Sequence, residues 1–381
     1  MKGSELESSP KGGAERGQRL VSLDALRGFD MLFIMGGAGL IASLAEWFPC
    51  DFTAVLAEQM EHVEWNGLRH HDTIFPLFLF IAGISFPFSL AKQRGQGRSE
   101  WAIHRKVLVR GLLLVFLGMV YNGLLDLDFE NLRVASVLGR IGLAWMFAAL
   151  IFMHTGWRVR AGITSALLVG YWLLAGFVPA PDAQGADILT AEGSIVGYID
   201  RILLPGRVLY GSIDPEGILG TVPAIATALL GMFVGESLTS GLSQRSGAKV
   251  TAWMVLAGIV MLALGLLWGE VFPVNKKMWT SSFVLVVGAY STLMFALFYY
   301  IIDVLRWRRW TFFFTVIGMN SITIYLAQRF VRFSYTSEKL FGGLVGLMPE
   351  DSRAFFSQAA YIAVCWLFLY VLYRHRIFLK V

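Results

Sequence analysis

The sequence predicts an all-α polytopic membrane protein with about ten transmembrane helices and both termini cytoplasmic. Three observations carry this. The 381 residues are 56% hydrophobic and 14% aromatic but only 15% charged, with a mean hydropathy of +0.61. A soluble domain of this length cannot bury so much apolar surface. Apolar runs of about 20 residues, enough to cross a bilayer, recur along the chain. The segments between them alternate between basic and acidic, as the positive-inside rule requires.

Taken in order, the predicted spans are approximately 28–45, 73–91, 107–124, 134–153, 161–178, 217–235, 251–269, 281–302, 311–330 and 354–373. Residues 1–18 are polar and Gly-rich and read as a disordered cytoplasmic tail without a cleavable signal peptide. Residues 19–381 read as a single transmembrane domain. Half-apolar residues around 195–210, containing Pro205 and Gly206, read as an interfacial or re-entrant piece of a long loop. Basic residues gather on one side: Arg19 and Arg27, then Arg98, Arg105, Lys106 and Arg110, then Arg306, Arg308 and Arg309, then Arg374 and Arg376. The other set of loops is acidic, although 269–280 and 329–353 are mixed. The pI of 9.2 therefore reflects topology, and nucleic acid is not an expected partner; membrane lipids are. Two cysteines, Cys50 near the end of the first span and Cys365 in the last, exclude a disulfide framework but leave a single bridge open.

The densest polar motif is HVEWNGLRHHDTIFPLFLFIAG at 62–83. It places His62, Trp65, Asn66, Arg69, His70, His71 and Asp72 at the mouth of the second span, where ionisable groups are costly and mark a site by default. An imidazole with a pKa of about 6.5 accepts protons at neutral pH and can also carry an acyl group; otherwise His62 is a surface histidine. Asp72 suits a helix N-terminus as a cap and can also orient His62 or a substrate amine. Trp65 and Asn66 suit a sugar through a stacked ring and a hydrogen bond, or serve as an interfacial anchor and a turn. The three histidines show no metal-ligand spacing, and no metal is expected. Asp214 and Glu216 precede the sixth span, Asn275 opens the eighth from the same side, and Asn320 lies within the ninth. These are candidate acceptor-binding residues, with helix capping and helix–helix contact as the structural alternatives.

The runs RLVSLDALRGFDMLFIMGG, EHVEWNGLRHHDTIFPLFLFIAGISFPFSL, IDPEGILGTVPAIATALLGMFVGE, PVNKKMWTSSFVL and FFTVIGMNSITIYLAQ, in this order, resemble the heparan-alpha-glucosaminide N-acetyltransferase family of transmembrane acyltransferases. The resemblance spans about residues 19–373. It implies transfer of an acetyl group from cytoplasmic acetyl-CoA, as co-substrate, to an amino sugar across the membrane, with His62 as the active-site histidine. On this reading Arg27, Arg105 and Arg110 sit at cytoplasmic helix ends, where guanidinium groups suit the phosphates of coenzyme A. Arg140, inside the fourth span, either pairs with Asp30, Asp72 or Glu216 or contacts the acyl donor or acceptor. Two other readings remain open: a sugar or amino-sugar permease without chemistry, and an O-acyltransferase of an envelope polysaccharide. The expected location is a bacterial inner (plasma) membrane, and a homodimer is an open alternative to the monomer.

Overall fold

The computed structural model describes residues 20–239 and 246–379. The tail expected at 1–18 lies outside the described residues. The first span is built from α1 (Val21–Leu32) and α2 (Ala38–Trp47), joined by a π-helical turn at Phe33–Gly37. Gly36 within that turn has φ +120°, and a Cβ there would meet the Ile362 and Tyr361 side chains at 3.1 Å. A residue with a side chain would be strained and crowded at once.

A short α3 (Asp51–Glu58) leads into α4 (His70–Gly95), the central helix. At 26 residues it reaches about 39 Å, which spans the bilayer and projects from it. Next come α5 (Glu100–Tyr121), α6 (Val137–His154) and α7 (Trp157–Phe177). The long loop that follows carries α8 (Ile195–Leu203), which lays its apolar side on Tyr171, Phe272 and Met278. It is an amphipathic helix of the loop layer. The remaining helices are α9 (Thr221–Thr239), α10 (Gly247–Gly269), α11 (Ser281–Tyr299), α12 (Thr311–Met319), α13 (Ser321–Phe330), α14 (Phe333–Gly346) and α15 (Arg353–Arg374). The described residues contain no strand, only two isolated bridges.

Eight of these segments are long and apolar enough to cross a membrane, and α12 with α13, bent by 67°, makes a ninth. The tenth expected span is α5. It has sufficient length at 22 residues but carries Arg105, Lys106 and Arg110. It and α1 start earlier than hydropathy alone placed them, because basic side chains at a helix end keep their charges in the interface. The protein is an integral membrane protein with an all-α fold.

Around α4 pack α9, α6, α11 and α1. Their facing residues, among them Phe80, Leu79, Ala228, Met232 and Phe283, are fully buried. By contrast α10 turns Leu256, Ile259, Leu264 and Leu267 outward, as a lipid-facing helix does. Helices α1 and α12 approach so closely that a Cβ on Gly28 would lie 1.8 Å from the Phe314 carbonyl oxygen, and one on Gly318 would lie 1.9 Å from that of Asp24. Small residues at such a crossing let backbones touch where lipid supplies no hydrophobic drive. Cys50 and Cys365 are both free, so the bridge left open by the sequence does not form.

Candidate active site

The loop from 59 to 69 closes over the start of α4 and is fixed by Asp72. One Asp72 oxygen, Oδ2, accepts the backbone N–H groups of Val63 at 3.3 Å and Arg69 at 3.2 Å. Its other oxygen, Oδ1, lies 2.7 Å from Nδ1 of His62. An ionised carboxylate only accepts, so Nδ1 carries the proton and Nε2 carries the lone pair. The asymmetry in exposure suits the roles: the Asp72 side chain is 1% exposed and that of His62 52%. A buried carboxylate thus holds an open imidazole in one tautomer. The ring of His71 lies edge-on to His62, with centroids 4.6 Å apart.

A third charged group comes from far along the chain. Lys276 Nζ lies 3.2 Å from Asp72 Oδ1 and 3.2 Å from His62 Nδ1. Its loop is pinned to the His62 loop by the Asn275 amide, which donates to Asn66 Oδ1 at 3.1 Å while accepting the Met278 N–H at 2.9 Å. Lys277 reaches the Glu64 carbonyl at 2.6 Å. Burial lowers the pKa of Lys276, and the nearby Asp72 and Glu216 carboxylates act against that pull.

Beside this dyad stands a second polar cluster. Arg133 grips Asp214 with two bonds, Nε to Oδ2 at 2.8 Å and a terminal nitrogen to Oδ1 at 2.6 Å, and also bonds Glu216. Burial opposes the Arg133 charge, yet Asp214 and Glu216 hold its pKa above the ordinary value. Conversely, burial would raise the Asp214 carboxyl, but Arg133 keeps it below its usual range. Beneath them Asp200 accepts the N–H groups of Asp214 at 3.2 Å and Ile218 at 2.9 Å. Burial outweighs those two bonds and pushes its carboxyl up to about 6.

On the opposite side of the bundle, a cavity of about 460 Å³ opens between α1, α4, α5, α6 and the α12–α13 break. Arg27, Lys106 and Arg110 line one end, and Asn320 and Tyr325 line it near the break. The Arg110 guanidinium sits 4.4 Å over the Trp145 ring with Nε unpartnered. Arg27 bonds Asp24 and Ser85, each at 3.3 Å. Leu379, at the described C-terminal end, lines the same cavity. Tyr325 stacks on Tyr121 at 4.6 Å and is within electrostatic reach of Glu216. Phe75, one turn into α4 from Asp72, also lines the cavity, while His62 and Asp72 themselves do not.

The chain is 27% identical to heparan-alpha-glucosaminide N-acetyltransferase of Homo sapiens and 26% identical to that of Mus musculus, each over 95% of this chain. Its relatives are the heparan-alpha-glucosaminide N-acetyltransferases. The chain spans 60% of the length of each. A weaker similarity, 22% over 40% of the chain, links it to 59% of an undecaprenyl-diphosphatase of Streptococcus mutans. No family model matches the chain.

The site residues expected from the sequence divide. His62, Asp72, Trp65, Asn66, Asp214, Glu216 and Asn275 meet in one layer of loops. Within it Asn66 and Asn275 bond each other, and Trp65 donates from its indole N–H to the Leu189 carbonyl at 2.7 Å, so these three hold loops together. Arg27, Arg110 and Asn320 line the cavity. Arg105 does not: it is exposed and sits over the Trp101 ring at 5.8 Å. One residue on, a helix turns by 100°, and Lys106 takes that place. Arg140 does not line the cavity either. It is 2% exposed, donates to the Gly217 carbonyl at 2.8 Å and stacks over Trp279 at 5.0 Å, at the Glu216 end. It forms no direct ion pair with Asp30, Asp72 or Glu216 among the described residues; carboxylates reach it only at longer range. Sequence reasoning missed Arg133, Lys276 and Lys106. Arg133 and Lys276 had a signal: each is a cation in a loop of the acidic face, where topology does not ask for one.

Proposed function

We propose that the chain is a transmembrane N-acetyltransferase that takes the acetyl group of acetyl-CoA from the cytoplasmic face and passes it to an amino sugar on the external face. The observation that carries this reading is the buried Asp72 holding His62 with Nε2 unencumbered, on the same helix α4 whose Phe75, one turn on, lines the cavity that carries Arg27, Lys106 and Arg110. Both termini are then cytoplasmic, and the loop layer holding His62 is external. The named relatives support the acetyl donor and the amino-sugar class of acceptor.

The cavity residues fit acetyl-CoA as a substrate. Lys106, Arg110 and Arg27 supply charge-assisted donors for its phosphates. The apolar stretch between Phe75, Phe86 and Ile103 suits the thin pantetheine arm. Asn320 Nδ2, buried without a partner, is available to the amide or carbonyl groups the arm carries.

At the other face the acceptor arrives as an ammonium and loses one proton to water. The neutral amine attacks the thioester carbonyl, forming the C–N bond. His62 Nε2 takes the second amine proton as the tetrahedral centre forms. It returns that proton to sulfur as the C–S bond breaks. Free coenzyme A, the N-acetyl sugar and one released proton balance the reaction. Asp72 fixes the His62 tautomer and stabilises the imidazolium that forms in passing. Lys276 keeps Asp72 ionised.

Purified protein, radiolabelled acetyl-CoA and glucosamine test the reading. Wild type is expected to form labelled N-acetylglucosamine, and His62→Ala to reduce the rate by roughly 100-fold or more while binding acetyl-CoA normally. Transport of glucosamine without acetylation would identify a permease instead. Full activity in His62→Ala would remove the site.

A further inference from the structure

On the basic face, away from the proposed chemistry, His104 of α5 and His154 at the end of α6 approach each other. Their Nε2 atoms lie 3.1 Å apart. Each ring uses its other nitrogen in the same way. Nδ1 of His104 lies 2.6 Å from the Glu100 carbonyl oxygen, and Nδ1 of His154 lies 2.8 Å from that of Leu150. A carbonyl oxygen has no proton to give, so in both rings Nδ1 is the N–H donor. Both Nε2 atoms then present lone pairs to one another at hydrogen-bond distance. Two lone pairs so placed repel unless a cation lies between them.

We propose that His104 and His154 form a two-imidazole site for a divalent transition-metal ion of the zinc or nickel class on the cytoplasmic-end face of the α5–α6 pair. Three features fit that occupant. A tetrahedral zinc with Zn–N bonds of about 2.0–2.1 Å holds its nitrogens roughly 3.3–3.4 Å apart, close to the observed separation. Metal-bound histidines donate their second N–H to a carbonyl or carboxylate, which fixes the tautomer and aims the lone pair; both rings here do so. Imidazole is the ligand type that zinc, nickel and copper prefer over magnesium or calcium. Glu100, one turn before His104 and held by Arg94 at 2.8 and 3.1 Å, lies within electrostatic reach of both rings and adds negative potential. His154 is exposed and His104 half-buried, so water can complete the coordination sphere. Local spacing gave no hint of this pair, because the two residues are 50 positions apart.

Such an ion would tie α5 to α6. Lys106 and Arg110 on α5 and Trp145 on α6 line the cavity, so the site would brace two of its walls. The inference stands independently of the proposed acetyl transfer.

The test uses purified full-length protein, titrated with Zn²⁺ alone and, separately, with Mg²⁺. Zinc is expected to raise the thermal midpoint of wild type while magnesium does not. His104→Gln and His154→Gln, both changes at accessible positions, are each expected to lose one zinc equivalent per chain, or to bind it at least tenfold more weakly. Histidines elsewhere are common to all three proteins and cancel in the comparison. Identical zinc stoichiometry and affinity in wild type and both variants would overturn the proposal. So would a wild-type midpoint that ignores zinc but rises as pH falls, since that marks a shared proton as the bridging cation.

Discussion

Replacing Asp72 by Asn would separate the orienting role of this residue from its structural one. The Asn carbonyl oxygen can still accept the Val63 or Arg69 backbone N–H, so the turn into α4 retains a cap. What changes is the 2.7 Å contact to His62 Nδ1. An amide NH₂ facing that nitrogen donates, which forces the proton onto Nε2 and leaves the imidazole without its outward lone pair. The negative charge that stabilises the imidazolium and holds Lys276 at 3.2 Å is lost as well. A wrong tautomer together with a lost counter-charge costs about 10²–10⁴ in rate, or roughly 3–5 kcal/mol of transition-state stabilisation at about 1.36 kcal/mol per decade. Steady-state acetylation of glucosamine, with acetyl-CoA binding measured separately, is the assay. The rate constant kcat is expected to fall by that factor with donor affinity unchanged, because the basic cavity mouth is untouched. Asp72→Asn combined with His62→Ala should be no slower than His62→Ala alone, since residues acting as a unit are not additive. A variant within threefold of wild type would refute the argument, as would a double variant showing the full product of the two losses.

Four further outcomes follow from the same geometry. Changing Lys106 and Arg110 together to Gln should weaken acetyl-CoA binding at least tenfold in calorimetry, since charged hydrogen bonds contribute about 1.5–3 kcal/mol each, whereas Arg105→Gln should leave it unchanged. Gly28→Ala should lower the thermal midpoint and widen the α1–α12 crossing, because overpacking of this kind costs about 1–3 kcal/mol and the new Cβ would meet a backbone oxygen at 1.8 Å. The Asp200 carboxyl stands at about 6 against 3.8 in an ordinary setting, so between these values the folded protein binds more protons than the unfolded chain and its stability falls as pH rises; melting at pH 5 and pH 7.5 should show wild type losing roughly 1.4 kcal/mol relative to Asp200→Asn, at about 1.36 kcal/mol per pH unit over the part of the window between pH 5 and about 6. Single cysteines at Glu61 and Arg98 should label from opposite sides of the membrane, with position 61 external; labelling from one side would end the two-sided scheme.

Hydropathy and charge are properties that the chain carries along its length. The sequence by itself therefore determined the membrane class, the places of the apolar helical segments and the grouping of the His62 loop with the Asp214 and Asn275 loops, but not the 67° break that splits the expected 311–330 span at Asn320. The join of His62 to Asp72 was also within reach, because the two are ten residues apart around a helix start. Only tertiary structure decided which neighbouring side chain faces inward. Arg105 and Lys106 are equivalent in a linear reading, yet a 100° rotation about α5 sends one outward over Trp101 and the other into the cavity. The same holds for partners brought from afar: Lys276 reaches Asp72 across 204 positions, Arg133 reaches Asp214 across 81, and His104 meets His154 across 50. The physical reason is that helix rotation and loop packing are set by the close approach of backbones at residues such as Gly28 and Gly318 and by the burial of charge against charge. Both are energies of pairs in space, and no local pattern encodes them.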